Sequence, residues 1–173
     1  MGVLELIQQK SFLGKEFLTW LWFRAERGPR FELKGGRFCE IEMMAPIVLS
    51  AQYGDARSSA LRGDSPATSP EARTALLEGK KLERARIKIA CEGVEWIAGL
   101  DGEKLSIAGL NMPRAGQLPT EEQLRMRVEF LLDYESVLSE LFTGFLELRL
   151  DAKAWKTELK RIHDWAEGNN EEN

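Results

Sequence analysis

The sequence predicts an α+β fold: a mostly antiparallel sheet packed against an N-terminal apolar helix and a C-terminal helical hairpin. Three observations support this. An apolar run of helical composition lies near the start, alternating segments fill the middle, and helical periodicity returns after residue 120. With 173 residues and 43% hydrophobic content, the chain is expected to form a single α+β domain over residues 1–173.

The first element is predicted to be a buried helix over residues 11–27. Ser11 is the expected N-cap, and Gly28-Pro29 is the expected stop. Apolar side chains, including two tryptophans, cover most of the helix circumference. This favours core packing over a cofactor or partner groove.

The sheet is predicted over residues 30–110. Its first part indicates two or three strands with a hairpin turn at Gly35-Gly36. Residues 54–69 are rich in glycine, serine and aspartate, which predicts a long exposed loop. A short helix follows, capped by Ser69 and ended by Gly79.

The second part of the sheet begins with residues 82–91, which alternate strictly between two faces. Residues 94–100 and 105–110 are expected to complete an antiparallel meander that turns at Asp101-Gly102. The pattern therefore predicts neighbouring strands in chain order.

The C-terminal part, residues 120–167, is predicted as a helical hairpin. Thr120 and Asp151 are the expected caps of its two helices. Two interpretations of the apolar stripe on the first helix stay open, packing within the chain and a dimer seam. The stripe consists of Leu124, Val128, Leu131, Leu138, Leu141, Phe142, Phe145 and Leu148.

No cofactor, metal or catalytic centre is predicted. Cys39 and Cys91 stand alone beside a single histidine, His163, which excludes the usual four-ligand zinc site and favours two buried thiols without a disulfide. Glu32 and Lys34 match only the end of a metal-dependent nuclease pattern. No apolar run reaches the ~20 residues that span a bilayer, and no signal-peptide pattern opens the chain, so a cytoplasmic location without membrane contact is expected.

Charge is distributed unevenly around a net value of −4. Residues 56–91 hold eight basic and four acidic side chains, whereas residues 92–173 hold nine basic and seventeen acidic ones. On the predicted strand, Arg84, Arg86 and Lys88 share one face at a spacing of about 6.6 Å. This row could contact a phosphate backbone, or it could be a solvated face whose cations pair with nearby acids. The candidate DNA-binding residues are Arg57, Arg62, Arg73, Lys80, Lys81, Arg84, Arg86 and Lys88.

Two motifs, F-L-G-K-E-F-L-T-W-L-W-F-R at residues 12–24 and T-S-P-E-A-R-T-A-L-L-E-G-K-K at residues 68–81, resemble the recombination-associated RdgC family. The basic strand that follows and the acidic helical tail are similar too, and together they resemble the later part of a full-length member in a shorter, divergent form. The resemblance implies a non-enzymatic, sequence-independent double-stranded DNA-binding protein that modulates recombination by limiting recombinase access.

The resemblance also implies a homodimer. Its basic positions, Arg73, Lys80, Lys81, Arg84, Arg86 and Lys88, are the implied phosphate contacts. The alternative function is a protein–protein interaction module, of a kind that a mobile element could encode, acting on a host factor. The acidic helical tail favours this alternative.

Overall fold

The structure is a computed structural model that describes residues 3–51, 58–63, 68–113, 116 and 119–168, with side chains from residue 13 onward. It confirms the α+β fold. In chain order the elements are α1 (Val3–Arg27), β1 (Arg30–Glu32), a 3-10 turn (Lys34–Gly36), β2 (Phe38–Ser50), β3 (Ser58–Leu61), α2 (Pro70–Leu77), β4 (Lys81–Cys91), β5 (Val94–Asp101), β6 (Ser106–Asn111), α3 (Thr120–Leu150) and α4 (Ala152–Ala166).

Helix α1 is the centre of the core. It begins at Val3, so Ser11 lies inside the helix and the predicted cap is wrong, because good helix formers such as leucine, glutamate and glutamine precede it. It ends at Arg27 as predicted, where the Gly28 amide donates to the Arg24 carbonyl at 3.0 Å. The predicted core packing is confirmed by six buried side chains: Phe17, Leu18, Trp20, Leu21, Trp22 and Phe23.

All six strands belong to one antiparallel sheet, in which β1, β2, β4, β5 and β6 lie in that order. Strands β1 and β3 pair with opposite ends of the same edge of β2. The predicted loop over residues 54–69 is therefore wrong in part. Residues 58–61 form a strand that satisfies backbone groups which the second half of β2 would otherwise leave unpaired. Residues 54–57 and 64–67 lie outside the described residues.

The turns of the sheet agree with the sequence. Gly35 and Gly36 adopt φ values of 76° and 75° in the hairpin between β1 and β2, a conformation that favours glycine. The meander of β4, β5 and β6 is confirmed. Helix α2 begins as predicted, with Ser69 Oγ accepting a hydrogen bond from the Ala72 amide at 3.2 Å.

Strand β4 departs from strict alternation at its start. The register shifts there, with Leu82 opposite Leu49 and Arg84 opposite Val48, so that Glu83 is the extra residue of a bulge. Strict alternation would put Glu83 on the same face as Ala85 and Ile87, which is the core face. Leu82 takes that core position instead, because the bulge turns the Glu83 carboxylate toward Lys15.

Helices α3 and α4 pack together and are joined at Asp151, which caps α4 as predicted by accepting hydrogen bonds from two backbone amides. Thr120 is the first helical residue after Pro119 and makes no cap, which corrects the prediction. The apolar stripe of α3 is buried at Leu141 and Phe145 only, whereas its first half is exposed. Among the described helices, none has the length and apolar content that a membrane crossing requires.

Candidate interaction surface

The predicted basic row on β4 lies on the sheet face opposite the buried residues of that strand, with Arg84 and Arg86 exposed and Lys88 half-buried. Arg84 Nε lies 3.4 Å from a carboxylate oxygen of Glu83. Lys88 Nζ lies 3.2 Å from Glu95 and 3.9 Å from a second glutamate, Glu42, on the strand at its other side. Within the described part of the chain, Arg86 alone of the three has no ion pair.

On the two strands that flank β4, acidic side chains lie beside the cations of this row. In the sheet register, Lys88 is opposite Glu42, and Arg84 is opposite Asp101. Glu40 and Glu95 are also exposed at the same end of the face. Positive charge on β4 is therefore offset locally, as the solvated-face interpretation expects.

The remaining predicted contacts are not brought onto this face. Lys80 is only 8% exposed, and its Nζ donates to Ser59 Oγ at 2.8 Å. The Arg73 guanidinium lies over the Trp165 ring at 5.7 Å, and its buried Nε has no hydrogen-bond partner among the described residues. Arg62 is exposed in the segment after β3, and Arg57 lies outside the described residues.

Lys81 belongs to a polar network that sequence reasoning did not anticipate. Glu16, on α1, is 6% exposed and binds Lys81 Nζ at 3.1 Å and Arg149 Nε at 2.7 Å. Burial lowers the pKa of Lys81, and the Glu16 charge and hydrogen bond oppose this effect. The network ties α1 to the start of β4 and to the end of α3. A glutamate within the mainly apolar run of residues 12–23 was the signal that could have revealed it.

An apolar groove of about 260 Å³ lies between the middle of α1, the turn from β5 to β6, and the middle of α3. Most of the side chains that line the groove are apolar, and the core residues Leu18 and Leu100 are among them. The side chains that form its walls include Phe17, Leu105, Ile107, Leu138 and Phe142. Leu105 and Ile107 remain 45% and 47% exposed, so the groove is open to solvent.

The groove continues along α3 toward its N-terminus. Leu124, Val128, Leu131 and Leu132 are exposed, and they fall within an arc of about 100° because each helical residue advances by about 100°. The α3 residues that line the groove, Glu135, Leu138, Ser139 and Phe142, fall within an overlapping arc. The stripe and the groove therefore form one surface, which we call the α3 surface.

Strand β6 borders the α3 surface and is the last strand of the sheet. Five of its six residues are exposed. Near its end the register shifts, and Gly109 adopts φ 60°. Such a bulge limits strand addition to a short segment, which favours a helical partner over an added strand.

The residues considered for catalysis or metal binding lie at two separate exposed places, near the end of α4 and beside β1. His163 is exposed on the last turn of α4, where its ring and the carboxylates of Asp164 and Glu167 lie within 4.8 Å of one another. Glu32 and Lys34 are exposed beside the first hairpin, and the Lys34 amide donates to Glu140 at 2.7 Å.

Comparison with family models, with curated proteins and with solved structures finds no match to this chain.

Proposed function

We propose that this chain is a non-enzymatic protein–protein interaction module in the cytoplasm that associates through the α3 surface, with a second copy of itself as the partner. The observation that carries the proposal is the exposed apolar stripe on α3, where Leu124 and Leu132 are 64% and 59% exposed. Contiguous apolar surface of this kind on a soluble domain is typical of an interaction site.

The spacing of the stripe suits a two-fold symmetric partner. Leu124, Val128 and Leu132 are four residues apart, so Val128 lies midway between the two leucines. If two α3 helices pack antiparallel about an axis at Val128, Leu124 of each copy meets Leu132 of the other.

The test is the molar mass of the full chain across a micromolar concentration series, measured by sedimentation equilibrium. We expect a monomer–dimer equilibrium in the wild type and a dissociation constant raised at least ~10-fold in Leu124→Glu and Leu132→Glu. Both positions are exposed, so the substitutions should leave the fold stable.

Leu150→Glu is the matched control, because Leu150 is 82% exposed at the far end of the same helix, about 27 Å from Leu132 along the helix axis. Its self-association should equal that of the wild type. A wild-type chain that stays monomeric throughout the series, or a dimer that both stripe variants retain, would reject the proposal.

Duplex DNA binding is the second candidate function, and the exposed pair Arg84 and Arg86, with the family resemblance, favours it. The affinity for duplex DNA that we expect is lower than the sequence suggested, because Lys80 is buried and Arg73 lies over the Trp165 ring. Eight phosphate contacts would give a log–log salt slope of about −7, whereas the exposed cations Arg62, Arg84 and Arg86 would give about −3. Binding through these residues is therefore expected to be weak at physiological salt.

Fluorescence anisotropy with a labelled duplex at low salt tests this candidate. Double substitution of Arg84 and Arg86 by glutamate should abolish binding, and Lys153→Glu, which alters an exposed cation on α4, should not. Duplex affinity retained by the double variant would exclude the basic row as the contact. Dimerisation and DNA binding are measured separately, so the failure of one leaves the other intact.

A further inference from the structure

The two cysteines, distant in sequence, lie directly opposite each other in the sheet. Cys39 is the second residue of β2, Cys91 is the last residue of β4, and the two are register partners. Both are on the core face, with exposures of 1% and 5%. The sequence indicated two buried thiols, which is confirmed, but it did not indicate that they face each other.

The backbone hydrogen bonds of β2 show whether Cys39 and Cys91 are a hydrogen-bonded or a non-hydrogen-bonded pair across the two strands. The Arg37 carbonyl accepts from the Leu33 amide at 2.7 Å, and the Ile41 amide donates to the Pro29 carbonyl at 2.9 Å. Both bonds lie on the β1 side of β2. Because residues two apart in a strand direct their backbone groups to the same edge, the amide and carbonyl of Cys39 also face β1.

Cys39 and Cys91 are therefore a non-hydrogen-bonded pair across β2 and β4. In such pairs the Cα atoms are about 4.5 Å apart and the side chains approach closely. A disulfide spans Cα separations of about 4.4–6.8 Å. The strand register thus supplies the geometry that a disulfide needs without moving the backbone far.

We propose that Cys39 and Cys91 form a redox-responsive dithiol that closes to a cross-strand disulfide in the presence of a peroxide or a small-molecule disulfide. With hydrogen peroxide, two S–H bonds break and one S–S bond forms, while two electrons and two protons pass to the peroxide and release two waters. In a reducing cytoplasm the dithiol is the resting form, and the disulfide is transient.

The location of the pair controls its reactivity. Burial raises the pKa of the Cys39 thiol to about 12, and Cys91, Glu140 and Arg37 also face it. Burial likewise raises the pKa of Cys91, beside Glu92 and Asp133. The thiolate is the reactive form, so oxidation of the closed strand pair is slow. Cys91 adjoins the turn between β4 and β5, so opening of this strand end would expose both thiols together.

The test is equilibration of the full chain in glutathione redox buffers, followed by acid quenching and mass spectrometry under denaturing conditions. Refolding from urea in the same buffers ensures that burial does not prevent the reaction. We expect an intramolecular disulfide, seen as the loss of two titratable thiols without bound glutathione. The oxidised form should melt higher than the reduced form by up to ~10 °C, because a cross-link over about 50 residues restricts the unfolded chain.

The double variant Ala90→Cys with Cys91→Ser is the matched control. It keeps two cysteines at almost the same sequence separation but moves the second to the opposite sheet face. It should form mixed disulfides with glutathione instead of an internal one. Mixed disulfides or free thiols in the wild type at every buffer ratio, or equal internal closure in wild type and control, would overturn the proposal.

Discussion

The contact between Gly14 on α1 and Gly102, in the turn from β5 to β6, gives the sharpest prediction about stability. Both residues are buried. A Cβ atom added to Gly14 would meet the Gly102 carbonyl carbon at 2.8 Å and a Leu105 methyl group at 2.6 Å, and it would clash with the Gly102 carbonyl oxygen. Ordinary contact begins near 3.4 Å, so the turn would have to withdraw by at least about 0.6 Å.

Two effects oppose each other in Gly14→Ala. Alanine favours an α-helix over glycine by about 1 kcal/mol. Overpacking against a fixed backbone costs about 1–3 kcal/mol and can cost more. Because the obstruction is backbone, which cannot change rotamer, we expect the steric cost to dominate and the free energy of unfolding to fall by about 1–2 kcal/mol. The melting temperature should fall by roughly 2–8 °C.

Gly144→Ala is a matched control with the opposite expected sign. Gly144 lies inside α3 with no atom within 4 Å of its added Cβ. The same substitution should raise the free energy of unfolding there by about 0.4–1 kcal/mol. Urea unfolding of both variants checks the pair. If Gly14→Ala stabilises the chain as much as Gly144→Ala does, the close approach of α1 and the turn is not as described.

Three further substitutions test buried polar groups. Glu16→Gln should lower the free energy of unfolding by about 1–3 kcal/mol in urea titration, because Lys81 and Arg149 lose their shared carboxylate; an unchanged value would remove the network from the stability argument. Burial would raise the pKa of Glu83, but hydrogen bonds and nearby cations lower this pKa overall. The ionised carboxylate of Glu83 therefore stabilises the fold above the ordinary carboxyl pKa, and this stabilisation is lost as the pH falls through the lowered pKa. Glu83→Gln should therefore show less loss of melting temperature on acidification, and an identical pH profile would contradict this. Tyr134→Phe should be neutral or stabilising by up to ~1 kcal/mol in thermal unfolding, since the buried hydroxyl has no partner among the described residues; a large loss would reveal a partner.

The sequence predicted the elements whose signals are local. The α1 core face, the Ser69 and Asp151 caps and the meander depend on nearby residues, and each was correct. Two local predictions were wrong, the caps at Ser11 and Thr120, and the other errors lie where residues distant in sequence pair with each other. Strand β3 forms because β2 offers an unpaired edge, and the bulge at Glu83 forms where β4 pairs with β2.

The candidate sites show the same limit. Alternation correctly placed Arg84, Arg86 and Lys88 on one strand face. It could not reveal that Glu42 and Glu95, on two other strands, would lie beside Lys88. Nor could it show that the first half of the α3 stripe would face solvent, since periodicity identifies an apolar face but not what covers it.

The bond from Trp20 Nε1 to the buried Glu158 carboxylate, at 3.1 Å, limits how this chain can be shortened. Glu158 also binds Arg161 at 2.8 Å, so α4 brings its own counter-charge to the contact. A fragment ending at Leu150 would leave the Trp20 donor without its acceptor and remove Trp165, whose ring meets Trp22 edge-on at 5.1 Å. Helix α4 therefore completes the aromatic core, and a shortened form of the protein should retain the chain through Ala166.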